Sequence, residues 1–375
     1  MKILYLNNYP MDEAWRLWEA GKYPGNHLFG TTHLGRHGIE VRIAPYRVHT
    51  WLASLGRWLR LGDLDQQYRA LFSGCDLVYS ACQGDTLGLA MLRSAGLLRR
   101  PLVATVHAPF RPGLERWVAR APYSRGHDQL ICLGPAVEHH MREVIGFPRE
   151  RLHMIPWGVD LDFYRREFLS EPPSGPLRIL SAGKTARDHE TLVRAVDGIA
   201  CELTLVTSGR HAPPRGSLPS NVRVIAGPGD EFALTYPELI AAYQRAHVVA
   251  VPLLAMRHPR GQTGGTSLLE AMAMGRPVLV TRTELMPLDI ESEGVGLWVG
   301  PGDVTGWRHA IRRLLDDPGE ARRMGSRGRW LCETRYNMEE FGARLAGVLW
   351  QALPRRGGAP PGRPRPQPDD SRGRP

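Results

Sequence analysis

Gly261-Gln-Thr-Gly-Gly-Thr-Ser-Leu-Leu-Glu-Ala-Met-Ala-Met-Gly-Arg-Pro-Val-Leu-Val-Thr281 is the stretch on which the reading of this chain turns. A glycine-bearing loop runs into an apolar helical segment, Ser267–Met274. Gly275-Arg-Pro277 then ends the helix ahead of a β-branched strand, Val278–Val280. Glycines such as Gly264 and Gly265 let a backbone come close to a ligand, and the unpaired N–H groups of a first helical turn face an anion. Thr266 or Ser267 is expected to cap the helix. Glu270 falls one turn further in, where a carboxylate facing a cleft accepts both hydroxyls of a ribose. Taken alone, the stretch also reads as a plain loop–helix–strand crossover, so its surroundings decide.

Those surroundings alternate short buried strands with helices. Before the stretch come strand Leu177–Ser181, helix Glu190–Val196, strands Leu203–Val206 and Val222–Ile225, helix Pro237–Arg245 and strand Val248–Val251. After it, residues 304–317 and 338–353 read as amphipathic helices. The first half repeats the theme, with strands at Lys2–Leu6, Ile39–Ala44, Asp76–Ser80, Pro101–His107 and Gln129–Leu133, and a helix expected from Pro24-Gly25-Asn26 to Gly38. Such alternation predicts parallel α/β domains, with ligands held outside the carboxyl ends of the strands. Glu171-Pro-Pro-Ser-Gly-Pro176 divides the chain. The expected units are a first domain over 1–165, a linker over 166–176, a second domain over 177–335, a helix over 336–353 crossing back to the first domain, and a disordered basic tail over 354–375.

Composition narrows little. A chain of 375 residues suits two domains. Of the formal net charge of +10, the tail with its arginines and two aspartates supplies +4 and leaves +6 on the body. A modestly basic body suits nucleotide phosphates, nucleic acid and an anionic membrane surface alike. The five cysteines are odd in number and none has C-x-x-C spacing, so no disulfide framework or zinc site is expected, and a cytoplasmic location is. The apolar stretch at the N-terminus is short for a signal peptide, and no run reaches the ~18 apolar residues of a membrane span.

Gly261–Thr281 resembles the signature of retaining GT-B glycosyltransferases of family 4: a Glu, seven residues, a second Glu, then Ala-Met-Ala, a Gly and a Pro-Val. Glu270 matches the second Glu, which the resemblance makes the ribose-binding group. The first Glu falls on Gln262, a departure at the place beside the donor sugar. Ser181-Ala-Gly-Lys-Thr-Ala-Arg-Asp-His-Glu-Thr-Leu192 resembles the family's basic loop. On that match Lys184 and Arg187 grip the diphosphate, at a spacing shorter than usual, and two cations on a loop after a strand suit that task on physical grounds too. Solvated surface charges are the plainer reading. His107, ending an apolar strand, matches a His that touches donor sugar or diphosphate; a partly buried His satisfied by backbone is its plainer reading. Gly25 resembles part of the family's glycine loop. Ile155-Pro-Trp-Gly-Val-Asp160 resembles a family turn that is structural, and Gly300-Pro-Gly-Asp303 fits the family ahead of its helix.

The resemblance implies an α/β chain of two Rossmann-like domains facing a cleft, the GT-B fold, with the acceptor on the first domain and the nucleotide on the second. It implies transfer from a nucleotide-diphosphate sugar, expected to be a UDP-sugar, to a hydroxyl of a small-molecule acceptor with retention. The donor-side residues would be Gly25, Gln262, Gly264, Gly265, Thr266, Ser267 and Glu270; His107, Lys184 and Arg187 would serve catalysis. No cofactor, metal ion or nucleic-acid partner is expected. A polyol acceptor in antibiotic or other specialised-metabolite biosynthesis is the favoured setting. A cell-envelope glycan or lipid acceptor, a nucleotide-sugar 2-epimerase and a non-catalytic nucleotide-sugar-binding protein stay open. The first half is the less family-like. In it Trp51-Leu-Ala-Ser-Leu-Gly-Arg-Trp-Leu-Arg60 sets Trp51, Leu55, Trp58 and Leu59 at helical spacing beside Arg57 and Arg60. A core helix with a basic outer face is expected, since such stripes are normally buried. A membrane-surface or acceptor-binding helix has the same spacing.

Overall fold

A computed structural model describes residues 1–171, 174–213, 218–255 and 263–354. The first sheet holds β1 (Lys2–Leu6), β2 (Glu40–Ile43), β3 (Leu77–Ser80), β4 (Leu102–Val106), β5 (Gln129–Cys132) and β6 (Leu152–Met154), in the order β2-β1-β3-β4-β5-β6. The second holds β7 (Leu177–Ala182), β8 (Cys201–Ser208), β9 (Val222–Gly227), β10 (Val248–Val251), β11 (Val278–Thr281) and β12 (Gly296–Val299), in the order β12-β11-β10-β7-β8-β9. Every pairing within the sheets is parallel. Strands such as β4 and β10 are buried along their whole length. That is why they read as unbroken apolar runs: helices cover both faces of a parallel sheet.

Among the described residues, ten longer helices accompany the sheets: α1 (Met11–Glu19), α2 (Thr50–Leu59), α3 (Leu64–Phe72), α4 (Leu87–Ser94), α5 (His189–Val196), α6 (Tyr236–Arg245), α7 (Gly265–Ala273), α8 (Val304–Asp316), α9 (Pro318–Thr334) and α10 (Met338–Ala352). Aspartates and an asparagine start several of them. Asp63, Asp188, Asp303, Asp317 and Asn337 each accept a backbone N–H of the first turn. The two Rossmann-like domains share one hydrophobic cluster, in which Val159 and Tyr164 meet Leu239, Tyr243, Leu268, Phe341 and Leu345. α10 lies against the first domain, where Arg344 donates to the Met154 carbonyl at 2.7 Å and the Trp350 indole to that of His37 at 3.3 Å. Among the described residues, no helix is long and apolar enough to cross a membrane.

The structure departs from the sequence pattern in several places. The helix expected over 24–38 is two 3-10 turns, Gly25–Leu28 and Thr31–His37, broken where Phe29 and Gly30 take positive φ angles of 48° and 80°. The cause is tertiary: the Phe29 ring stacks on Trp157 at 5.1 Å with planes 4° apart, which turns the chain out of a helix. α9 escaped the periodicity because its buried face is built from Ala321, Met324, Gly325, Gly328 and Arg329 as well as Leu331 and Cys332. The expected core helix at 51–60 is the third departure. α2 forms, but Trp51 is 66% exposed and Trp58 78%, and its buried residues are Ala53 and Gly56. The basic tail from residue 355 lies outside the described residues.

Candidate functional site

In the second sheet the strand order reverses direction between β7 and β10, and such a switch point opens a crevice at the strands' carboxyl ends. Two segments meet there. The loop after β7 runs Gly183-Lys-Thr-Ala-Arg187 and is tied to the segment after β10 by an antiparallel bridge between Arg187 and Leu253. Ala186 is held at φ 50°, a strained value for a residue with a side chain. The other segment is the start of α7. Gly264 is its N-cap at φ 89°, so the helix begins ahead of Thr266 and Ser267, and neither side chain caps it as expected. Glycine reaches that angle without steric cost, so the chain turns sharply off the loop and into the helix. The N–H groups of Gly265, Thr266 and Ser267 precede the first intrahelical bond, from Leu268 to the Gly264 carbonyl at 3.0 Å, and they form the positive end of the helix dipole.

Ser267 has a different task from capping. Its hydroxyl donates to the Ala182 carbonyl at 2.8 Å and accepts from the Arg187 guanidinium at 3.0 Å. Arg187 also donates to the Thr185 carbonyl at 3.1 Å, and its Nε has no hydrogen-bond partner among the described residues. Burial lowers its pKa to about 10, with Tyr243 and Glu270 opposing, so it stays charged at neutral pH. Lys184 leaves the same loop outward and donates from Nζ to the Asp230 carbonyl at 3.1 Å. The loop therefore offers one inward cation, Arg187, at the head of α7 and one exposed cation, Lys184, directed to the Asp230 carbonyl.

Glu270 sits deeper. It is 4% exposed, and its two oxygens accept from the hydroxyls of Tyr164 at 2.7 Å and Tyr243 at 3.0 Å. Burial pushes its pKa up to about 7, with the tyrosine hydrogen bonds and Arg187 pulling the other way. His27 lies 4.0 Å off and shares a 2.9 Å hydrogen bond with the Tyr236 hydroxyl. Burial drops the His27 pKa to about 4, so it is a neutral neighbour at pH 7. The Tyr23 ring closes this cage against Tyr236 at 5.1 Å. Sequence reading missed His27, Tyr164, Tyr236 and Tyr243. Their signal is faint: four scattered aromatic residues, with Tyr164 placed one turn after the Gly-Val-Asp160 motif.

The remaining predicted residues fall in three places. His107 directly follows β4 and faces Phe29 edge-on at 5.2 Å, with its ring Nε2 bonded to the Ala81 carbonyl and its backbone N–H to Gln83 Oε1 at 2.8 Å. Burial lowers its pKa. A carbonyl only accepts, so Nε2 carries the proton and Nδ1 is the basic nitrogen. Gly25 gives its N–H to the Asp160 carboxylate at 2.7 Å, so this amide is committed to the turn after β6 rather than free for a phosphate. Gln262 lies outside the described residues. Sequence reading also missed a buried polar group at the ends of β7 and β8: Ser181 Oγ, Thr207 Oγ1 and both ring nitrogens of His189 lack hydrogen-bond partners among the described residues. A hollow of about 980 Å³ opens between α1, Thr32–Arg36, Asp160–Phe168 and α6, and neither Lys184 nor Arg187 lines it. Among the described residues, no group of three or more His, Cys, Asp or Glu side chains is placed to hold a metal ion.

Comparison with known proteins identifies the architecture. Residues 177–317 match the family model for glycosyl transferases group 1, and residues 21–163 that for glycosyltransferase family 4. An MMP alpha-(1->4)-mannosyltransferase of Mycolicibacterium hassiacum is 26% identical over 72% of this chain and 69% of its own. A D-inositol 3-phosphate glycosyltransferase of Xylanimonas cellulosilytica is 27% identical over 68% of this chain and 67% of its own. Among solved structures, sucrose-phosphate synthase from Thermosynechococcus elongatus superimposes with a TM-score of 0.68 at 18% identity, covering 94% of this chain and 99% of that one. The Anabaena HepE protein in complex with UDP gives 0.61 at 16% identity, covering 93% and 100%. The chain belongs to the group 1, family 4 type glycosyltransferases and has their GT-B fold.

Proposed function

We propose that the protein transfers a sugar from a UDP-sugar to an acceptor hydroxyl with retention of configuration and without a metal ion. The observation that carries this reading is the Arg187–Ser267 contact, which fastens a cationic loop to the head of α7 at the switch point of the second sheet. A leaving diphosphate gains negative charge in the transition state. Arg187, Lys184 and the N–H groups of Gly265, Thr266 and Ser267 are fixed donors that stabilise it there. The acceptor hydroxyl attacks the anomeric carbon on the face the diphosphate leaves, and a diphosphate oxygen takes its proton. Glu270, whose oxygens already accept from Tyr164 and Tyr243, receives the ribose hydroxyls on its remaining lone pairs, and Gln262 meets the donor sugar. UDP as the nucleotude carrier is supported by the neighbour solved with UDP. A polyol acceptor is supported by the relative named for D-inositol 3-phosphate.

A second acceptor class, a cell-envelope glycan or lipid, is favoured by the exposed tryptophans of α2 on the acceptor-side domain. The test is a thermal-shift screen of UDP, GDP and ADP, followed by turnover of the matching nucleotide sugars with chelator present and anomeric assignment of the product by NMR. Selective stabilisation by UDP and an axially retained linkage are expected. Stabilisation by no nucleoside diphosphate would overturn the donor assignment, and an inverted product would overturn the mechanism.

A further inference from the structure

We infer that the outward face of α2 docks the protein on an anionic membrane surface. The helix is built inside out. Trp51, Leu55, Trp58 and Leu59 lie along one stripe, and their exposures are 66%, 38%, 78% and 44%. The opposite side carries the small residues Ala53 and Gly56, and both are buried. Gly56 explains the orientation. A Cβ there would lie 2.2 Å from the Gly62 carbonyl oxygen and 2.8 Å from the Leu64 nitrogen, both backbone atoms. Only glycine lets α2 sit this close to the turn that leads into α3, so the helix is held with its large apolar side chains pointing away from the core. α3, packed on α2, adds an exposed aromatic pair, Tyr68 and Phe72, with ring centroids 5.2 Å apart.

Charge points to the occupant. Between residues 43 and 75 the cationic side chains are Arg47, Arg57, Arg60 and Arg69, and the anionic ones are Asp63 and Asp65. Both aspartates are buried: Asp63 caps α3, and Asp65 accepts from the Val48 N–H and meets His49 and Arg69. Arg57 and Arg60 are exposed beside the tryptophans. The charges this segment shows to water beside its apolar stripe are therefore positive. Tryptophan at an exposed apolar stripe flanked by arginine suits the interface of a bilayer carrying anionic headgroups, where the ring enters the headgroup level and the guanidinium pairs with phosphate. A second copy docked face to face would set Arg57 and Arg60 against their own counterparts, whereas an anionic surface pairs them. The contact of Gly62 with the Gly84 carbonyl, just past β3, places the patch at the carboxyl-end rim of the first sheet.

Co-sedimentation of the full chain with vesicles tests this, using pure phosphatidylcholine and an equimolar mixture of phosphatidylcholine and phosphatidylglycerol. Binding to the anionic vesicles and a marked loss at high salt are expected. Each cation near such a surface is worth about five-fold in partitioning, so Arg57→Gln/Arg60→Gln should bind about twenty- to thirty-fold more weakly. Trp51→Ser/Trp58→Ser should lose most binding while keeping its circular dichroism spectrum and its basic tail. Wild type that ignores anionic vesicles overturns the inference. So does tryptophan-free α2 that binds as well as wild type, which would assign binding to the tail. A wild-type dimer in solution that the tryptophan variant splits would assign the face to a second copy instead.

Discussion

α7 and α2 make an instructive pair. Both are short helices with apolar residues at helical spacing, and they meet opposite fates. In α7 every residue from Ser267 to Ala273 is buried, between the second sheet and α9. In α2 only Ala53 and Gly56 are buried, and the largest side chains face water. Spacing tells which side chains share a face. Which face turns inward depends on what the rest of the chain brings near, and in α2 the close backbone approach at Gly56 settles it.

The largest expected effect lies at the α7 end of this comparison. Arg187→Ala should lower kcat by about a hundred- to a thousand-fold, the usual loss when a fixed donor to developing charge is removed. Binding of free UDP should fall less, because the charge is greatest in the transition state. A variant with wild-type kcat in steady-state assays would reduce Arg187 to a structural tie between β7 and α7.

Next comes Glu270. Glu270→Gln should weaken UDP binding about ten- to a hundred-fold by calorimetry at pH 8, where the carboxyl is ionised, since hydrogen bonds to a charged acceptor are worth about 1.5–3 kcal/mol. Its raised pKa adds a pH signature. Folded Glu270 keeps a proton up to about pH 7, whereas the unfolded carboxyl, with its ordinary value of 4.5, has already released it. Between those values the folded state binds more protons, so this group's contribution to stability falls as pH rises from 5 to 8. Urea unfolding at pH 5.5 and 8.0 should show a difference of about 1–3 kcal/mol that Glu270→Gln removes. Identical pH slopes in variant and wild type would mean that the carboxyl titrates normally.

Smaller effects belong to α2. Gly56→Ala improves helix propensity by about 1 kcal/mol, yet it drives a methyl into the Gly62 carbonyl and should cost about 1–3 kcal/mol net in urea unfolding. A stabilised variant would show that the approach is looser than described and that the helix is free to roll. The smallest effect is that of Trp51→Ser/Trp58→Ser, which should leave unfolding within about 0.5 kcal/mol of wild type, as surface changes do. A loss of several kcal/mol would return these tryptophans to the core and erase the contrast with α7.

What the sequence by itself determined is local or periodic. Apolar runs marked β4, β10 and β11. Gly275 closed α7, and Asp303 stood just ahead of the helix at 304. The order of motifs around Glu270 and Lys184 announced the fold and the family, because chain neighbours alone set such signals. Tertiary structure decided the rest. The hydrogen bond from Tyr164 to Glu270 spans 106 residues of chain, and that from Gly25 to Asp160 spans 135. Phe29 leaves helical geometry where its ring stacks on Trp157, a residue 128 positions away. Ser267 serves Ala182 and Arg187 rather than its own helix because Gly264 starts that helix early. The tryptophans of α2 face water because Gly56 holds the other side of the helix against Gly62 and Leu64. Each outcome depends on groups that only folding brings together, and no spacing along the chain encodes their meeting.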